Sequence, residues 1–140
     1  MNTKVFVNLP VKDLKKSMDF FSNLGFSFNP QFTDEKAACM ELNSDGYIML
    51  LAEPFFKQFI NKDIADATKS TEVLVAISAD SKEKVNERVE KALSLGAIES
   101  GTVQDLGNMY SRSFSDLDGH IWENMWMNIS SENPAPNQYY

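Results

Sequence analysis

The chain offers few side chains that could do chemistry, and the most informative of them is Glu123. It lies in the apolar stretch Ile121-Trp122-Glu123-Asn124-Met125, where strand alternation places it on one face with Ile121 and Met125. A carboxylate on an apolar face is unfavourable unless it is paired, hydrogen-bonded or put to use. Two interpretations are open. In the first, Glu123 is a vestigial residue that is hydrogen-bonded by a neighbour such as Asn8 or a serine. In the second, Glu123 is a catalytic base or a ligand anchor.

Other reactive side chains stand at positions that favour structural roles. His120 is the only histidine and directly follows Gly119, which is typical of a residue that stabilises a turn. Cys39 is the only cysteine, so no internal disulfide can form, and its apolar strand indicates an inert small hydrophobe. Arg112 could anchor an anion, and a salt bridge is the alternative interpretation.

Composition narrows the classes of function. The chain has 140 residues, 43% of them hydrophobic, which suits a single domain with a proper core. A formal net charge of -7 disfavours nucleic-acid binding, which needs clustered Lys and Arg. No stretch approaches the roughly 20 apolar residues of a membrane span. The start Met1-Asn2-Thr3-Lys4 has no signal-peptide pattern, so we expect a cytoplasmic protein.

The first half of the chain reads as strand, helix and three strands. Alternation predicts a strand over 4–11, and Asp13 is placed to cap a helix over 14–24 that Gly25 ends. Asn43-Ser44-Asp45-Gly46 predicts a hairpin turn. The three further strands are predicted at 26–32, 37–42 and 47–52.

The second half repeats this order without repeating the letters. A strand over 72–78 precedes a helix that ends at Leu95-Gly96, and strands follow at 97–102, 108–115 and 120–127. We therefore predict an α+β fold of two β-α-β-β-β modules with curved mixed sheets around a cleft. The predicted domain covers 1–128, with module one at about 4–52, a Phe-rich linker at 53–70 and module two at about 71–127. Residues 129–140 are predicted to be a mobile tail.

The sheet faces turned away from the helices are predicted to form a small-molecule pocket. Parity from Phe114 assigns Ser111 and Ser113 to this pocket, and Tyr110 and Arg112 to the helix side. A mainly apolar pocket with a few polar groups is the usual small-molecule site. Alternation elsewhere assigns to the same faces Phe6, Asn8, Leu50, Ala52, Leu74, Ala76, Glu123 and Met125.

Two stretches of the sequence resemble the vicinal oxygen chelate superfamily, the glyoxalase, bleomycin-resistance and extradiol-dioxygenase group. The first is the segment from Val11 to Phe21 with Leu24-Gly25-Phe26, which is similar to the family's V-x-D-L-x-x-S-x-x-F-Y…L-G-F opening. The second is the segment from Phe114 to Glu123, which is similar to its F-x-D-P-D-G-H-x-x-E close. Within the family, the chain resembles the branch labelled predicted lactoylglutathione lyase.

The resemblance implies paired modules, often a homodimer, and in many members a divalent metal held by four inward side chains. Carried over by position, these four fall on Phe6, Leu50, Leu74 (or Glu72) and Glu123. Hydrocarbon side chains cannot coordinate a metal, so we expect no metal and no cofactor.

Three functions follow as hypotheses. The first is a metal-independent small-molecule-binding protein of glyoxalase/bleomycin-resistance type, in which Glu123 helps to orient the ligand; Glu123 is also the one candidate catalytic residue, for the second hypothesis. Its predicted ligand-binding residues are Phe6, Asn8, Leu50, Leu74, Ser111, Ser113 and Met125. The second is a lyase or isomerase that uses Glu123 as base. The third is a structural or partner-binding module with a closed cleft.

Overall fold

The computed structural model describes residues 3–128, and its contacts divide the chain into two units between Asp66 and Ala67. This division lies inside the segment predicted to be a linker. The predicted tail at 129–140 lies outside the described residues. None of the helices within residues 3–128 is long and apolar enough to cross a membrane.

Module one contains the predicted strand, helix and three strands. Its sheet has the strand order β1-β4-β3-β2, in which β1 runs parallel to β4 and the other neighbours are antiparallel. The helix α1 packs against β2, β3 and β4. The elements are β1 Val5–Val11, α1 Leu14–Leu24, β2 Ser27–Phe28, β3 Ala37–Glu41 and β4 Gly46–Ala52. The strand predicted at 26–32 is shorter than expected, because a 3-10 turn at Pro30–Phe32 replaces its second half.

Module two repeats the same topology. Its sheet has the order β5-β8-β7-β6, with β5 parallel to β8 and antiparallel pairs elsewhere. The helix α3 packs against β6, β7 and β8. The elements are β5 Leu74–Ser78, α3 Lys82–Ser94, β6 Ile98–Asp105, β7 Met109–Ser115 and β8 Ile121–Met127. The prediction of an α+β fold with two β-α-β-β-β modules is therefore confirmed.

Local capping explains where the two long helices begin and end. The Asp13 side chain accepts a hydrogen bond from the Lys16 amide at 3.1 Å, and Gly25 ends α1 in a left-handed conformation with φ 112°. In module two the cap is Ser81, whose side chain accepts from the Lys84 amide. The helix α3 is likewise followed by a glycine in a left-handed conformation, Gly96 with φ 110°.

The position of Leu50 was predicted wrongly. Its Cα partners are Leu9 on β1 and Ala38 on β3, and it is fully buried in the face that α1 covers. Ala52, the partner of Val11, shares that face. The strand Gly46–Ala52 is apolar at nearly every position, so no polar residue fixes the phase of its alternation, and a slip of one residue exchanges the two faces.

The Phe-rich segment forms a short helix α2, Glu53–Phe56, followed by a 3-10 turn at Lys57–Phe59. The helix α2 packs against β1 and β4 of its own module. The rings of Phe55 and Phe59 meet edge to face with centroids 5.0 Å apart, and Phe59 remains exposed. The part of the predicted linker that forms α2 is therefore packed on the sheet of module one.

Replacing Gly119 is expected to destabilise the fold more than replacing Gly25. Both residues have positive φ, 91° and 112°, which costs an L-residue about 1–2 kcal/mol. A Cβ at Gly119 would also lie 2.9 Å from the backbone of Ala67 and Thr68, whereas a Cβ at Gly25 would meet no atom within 4 Å. We expect Gly119→Ala to cost about 2 kcal/mol and Gly25→Ala about 1 kcal/mol in urea unfolding. Equal losses for the two variants would contradict this account.

Candidate functional site

The face of the module two sheet opposite α3 carries the predicted polar residues in one patch, here called the open face. Glu123 on β8 lies between Ala76 on β5 and Ser113 on β7 as a cross-strand partner of both. In the next row, Met125 lies between Ser78 and Ser111. The register thus brings the predicted Glu123, Ser111, Ser113 and Met125 together.

A cavity of about 510 Å³ lies over this open face, within the size range of small-molecule sites. Of the predicted residues, Glu123, Leu74, Ser111 and Ser113 line it, whereas Met125 is buried on the same face. Among the lining residues that the structure describes, Glu123 is the only one with a charged side chain. The full lining is Leu74, Ala76, Gly101, Thr102, Gln104, Met109, Ser111, Ser113 and Glu123.

The strand β6 contributes three lining residues that the sequence analysis missed. The pairing of β6 with β7 shifts register between Ser100 and Gln104, which is a bulge. The residues of this bulge, Gly101 and Thr102, reach the cavity together with Gln104. No sequence pattern marked this bulge, although the parity of Ser111 would have placed Met109 on the open face.

Arg112 lies on the opposite face, as predicted, and it forms ion pairs with two glutamates. Its Nε and Nη2 donate to the two oxygens of Glu99 at 2.9 and 3.1 Å, and Nη2 also donates to Glu90 at 2.6 Å. Its Nη1 donates to Asn86 at 2.9 Å. These contacts raise the pKa of Arg112 and lower the pKa of Glu99. Because Arg112 is buried and forms four hydrogen bonds to Glu99, Glu90 and Asn86, the salt-bridge interpretation is the one the contacts support.

A second cluster on the α3 side holds the end of β6. The ammonium of Lys82 lies 3.1 Å from Asp105 and 5.7 and 5.8 Å from the ring centroids of Tyr110 and Trp126. Asp105, Tyr110 and Trp126 are cross-strand neighbours on three adjacent strands. The ion pairs of Glu99 and Asp105 therefore fix both ends of the bulged segment that lines the cavity.

The turn between β7 and β8 is built around the buried carboxylate of Asp116. One of its oxygens accepts from the amides of Asp118 and His120 at 2.9 and 3.0 Å, and the other accepts from the indole of Trp122 at 2.9 Å. Burial raises the pKa of Asp116, although the charge of His120 opposes the rise. His120 thus belongs to the turn, which is the role the sequence predicted for it.

Module one presents a different face opposite α1. Phe6 is half exposed and stacks on Tyr47, with ring centroids 4.7 Å apart and planes 8° apart. Asn8 is exposed on the same face, opposite Met49, so Met49 takes the position that was assigned to Leu50. Cys39 is buried as predicted, and its burial raises the pKa of the thiol.

The donors present do not fit a tightly held divalent metal. Of the four positions carried over from the resemblance, Phe6, Leu50 and Leu74 have hydrocarbon side chains, and Leu50 also lies on the buried face. Only Glu123 has a side chain that could coordinate a metal. Glu72 precedes β5 and is exposed. Within residues 3–128, no group of three or more His, Cys, Asp or Glu side chains is placed to bind a metal. Divalent sites usually need three or more protein ligands.

Comparison with known proteins supports the same fold. Residues 3–43 match the family of bleomycin resistance protein-like N-terminal domains. No curated protein matches the chain. A hypothetical protein from S. aureus is 26% identical, with a TM-score of 0.75 over 89% of this chain and 94% of that one.

Two further solved structures carry functional names. A glyoxalase/bleomycin resistance protein/dioxygenase family enzyme from Burkholderia phytofirmans PsJN has a TM-score of 0.72 at 16% identity, covering 89% of this chain and 98% of that one. The fosfomycin resistance protein FosX from Listeria monocytogenes has a TM-score of 0.65 at 20% identity, covering 100% and 99%. At these identities, both show the shared fold alone. The family match covers residues 3–43 of the 140, and the solved structures share the fold of this chain.

Proposed function

We infer that the protein binds a small molecule in the cavity on the open face of module two, without the help of a tightly held metal. The observation that carries this proposal is the contrast between the two faces of one sheet. On the α3 side, the polar groups of Arg112, Asn124 and Tyr110 are hydrogen-bonded within the module. On the open face, the side chains of Glu123 and Ser113 form no hydrogen bond or ion pair within residues 3–128.

Unpaired polar groups beside apolar walls are what a ligand site requires. Leu74, Ala76 and Met109 supply hydrocarbon surface, while Ser111 and Ser113 supply hydroxyl groups that can donate or accept. Such groups in a purely structural face would be paired or replaced by apolar residues, because an unsatisfied polar group is costly once it is covered. The glyoxalase/bleomycin-resistance neighbours of this fold agree with a small-molecule role.

A thermal-shift screen of a chemically diverse library tests the proposal. A ligand at a hundredfold excess over its Kd stabilises the folded state by about 2.7 kcal/mol. In a protein of this size we therefore expect hits that raise Tm by about 5 °C or more. The variant Ala76→Phe should fold normally, because Ala76 is exposed, yet it should abolish these shifts by filling the cavity. A screen without hits, or hits that Ala76→Phe retains, would overturn the proposal.

A lyase or isomerase remains the second candidate function, and the same free carboxylate favours it. A general base must be able to reach the substrate, and Glu123 has no partner within the described chain that would hold it away. Turnover of methylglyoxal with glutathione that disappears in Glu123→Gln would establish this activity. A structural module, the third candidate, predicts no ligand at all in the thermal-shift screen.

The homodimer that the resemblance implies, in the cytoplasm that the N-terminal sequence and the single cysteine favour, forms part of the proposal. Apolar residues at the ends of two edge strands support it, since Val5 and Phe6 on β1 and Leu74 on β5 are about half exposed. Sedimentation analysis of the purified chain measures the state directly, and a monomer at micromolar concentration would contradict the dimer.

A further inference from the structure

The charge of the cavity indicates what kind of ligand it accepts. Glu123 is the only charged residue in the lining, and it forms no ion pair within residues 3–128. The buried cation of its module, Arg112, lies on the other face of the sheet and is engaged by Glu90 and Glu99. The cavity therefore presents one uncompensated negative charge.

We propose that this cavity binds organic cations, with a protonated amine or amidine seated on the carboxylate of Glu123. This inference rests on the proposed function and names its ligand class. A charged group beside apolar walls is stabilised by an opposite charge that brings its own hydrogen bonds. Because the described lining residues include no cation, an anionic ligand would meet the repulsion of Glu123 with no opposite charge to offset it.

The neighbours of Glu123 complete the recognition of an ammonium group. Such a group has up to three N–H bonds to donate, and the carboxylate oxygens of Glu123 take one or two of them. Ser113 lies directly opposite Glu123 on β7, so its hydroxyl oxygen is an available acceptor for another. The apolar body of the ligand then packs on Leu74 and Met109.

Three probes that share one hydrocarbon body separate charge from shape. 3-Phenylpropylamine, 3-phenylpropanol and 3-phenylpropionic acid differ only in the group that would meet Glu123. Titrations followed by amide NMR should show that the amine binds about tenfold more tightly than the alcohol, because a charge-assisted hydrogen bond replaces a neutral one. The acid should bind most weakly, and the perturbed amides should include those of Ser111, Ser113 and Glu123.

A pair of charge-matched variants tests whether Glu123 is responsible. In Glu123→Gln we expect the amine to lose its about tenfold preference over the alcohol. Glu87→Gln removes the same charge from the exposed face of α3, where Glu87 pairs with Lys84, and should leave the preference unchanged. Because the Glu123 side chain forms no hydrogen bond or ion pair within residues 3–128, and glutamine has nearly the same shape, Glu123→Gln should also keep its Tm.

The outcomes distinguish this inference from the function on which it rests. Equal binding of amine and alcohol, stronger binding of the acid, or an amine preference that survives in Glu123→Gln would overturn the inference. The same holds if none of the three probes binds while the library screen finds neutral or anionic ligands, a result that leaves the proposed function intact. A screen without hits of any charge overturns both.

Discussion

Replacing Arg112 by Met should cost about 3 kcal/mol of stability, one of the two largest effects expected for a single substitution in this protein. The guanidinium donates to Glu99, Glu90 and Asn86, and so connects α3 to β6 across the sheet. Hydrogen bonds to charged groups contribute about 1.5–3 kcal/mol each. The sum is reduced here because Glu90 and Glu99 are partly exposed and regain water when the arginine is lost.

The variant Arg112→Lys separates charge from geometry. A lysine keeps the positive charge, but one ammonium group cannot match the two-oxygen contact with Glu99 while also reaching Glu90 and Asn86. We expect urea unfolding to place Arg112→Lys about midway between the wild type and Arg112→Met. A loss below about 1 kcal/mol in Arg112→Met would show that the network adds little to stability.

The same network should also make the free energy of unfolding depend on pH in the acidic range. The bond from Arg112 holds the pKa of Glu99 below its ordinary value of 4.5. A lowered folded-state pKa means that the contribution is complete above about 4.5 and is lost as the pH falls through the folded pKa. The stability difference between the wild type and Arg112→Met should therefore shrink in that range.

The sequence was sufficient to predict the modules because the signals that define them are local. Asp13 and Gly25 mark the ends of α1, and each acts through its own backbone neighbourhood. In module two, parity counted from the apolar Phe114 assigned Ser111 and Ser113 to one face, and the alternation of β8 assigned Glu123 to the same face. The open face of module two was predicted correctly for this reason.

The open face of module one was predicted less well because no polar residue marks the faces of its strand β4. Within Gly46–Ala52 every residue after the glycine is apolar or aromatic, so the face of Leu50 depended on register alone. That register is set by the pairing of Phe6 with Tyr47 and Asn8 with Met49, which are contacts between strands far apart in the sequence. Local alternation cannot supply this information.

The polar networks were also beyond prediction, since their members come from several elements. Arg112 on β7 meets Asn86 and Glu90 on α3 and Glu99 on β6, and no spacing along the chain relates these residues. The cavity residues of the β6 bulge depend in the same way on how the strand leaves its register. Tertiary packing therefore decides two facts that the sequence does not show. Arg112 is paired with Glu90 and Glu99, and Glu123 forms no ion pair within residues 3–128.

The second large effect is expected at Asp116, where Asp116→Ala should also cost about 3 kcal/mol. The change would leave the buried indole N–H of Trp122 and the amides of Asp118 and His120 without their acceptor. Each unsatisfied buried donor costs about 1–3 kcal/mol. The unfavourable burial of the carboxylate itself, which raises the pKa of Asp116, offsets part of that sum.

Asp116→Asn is the matched control, because it retains the shape of the side chain. Its single carbonyl oxygen can still accept from the two backbone amides, but its NH₂ group cannot accept from the indole of Trp122. Unfolding in urea should therefore show a loss of about half that of Asp116→Ala. A loss in Asp116→Asn equal to that in Asp116→Ala would mean that the bond to Trp122, and not the turn, accounts for the whole effect.

The pH dependence of Asp116→Asn follows from the direction of the pKa shift. Since burial raises the pKa of Asp116 above 3.8, the folded protein binds a proton more readily than the unfolded chain in the interval above that value. Wild-type stability thus gains a contribution as the pH falls through the folded pKa, and the amide variant, which has no proton to bind, does not. Among the groups that face the carboxylate, the charge of His120, the indole of Trp122 and the backbone amide of Asp118 oppose the rise in pKa, whereas the charge of the Asp118 side chain adds to it. We therefore expect the stability deficit of Asp116→Asn to widen between neutral pH and about pH 4. A deficit that narrows over this range would show that the hydrogen bonds outweigh burial at this carboxylate.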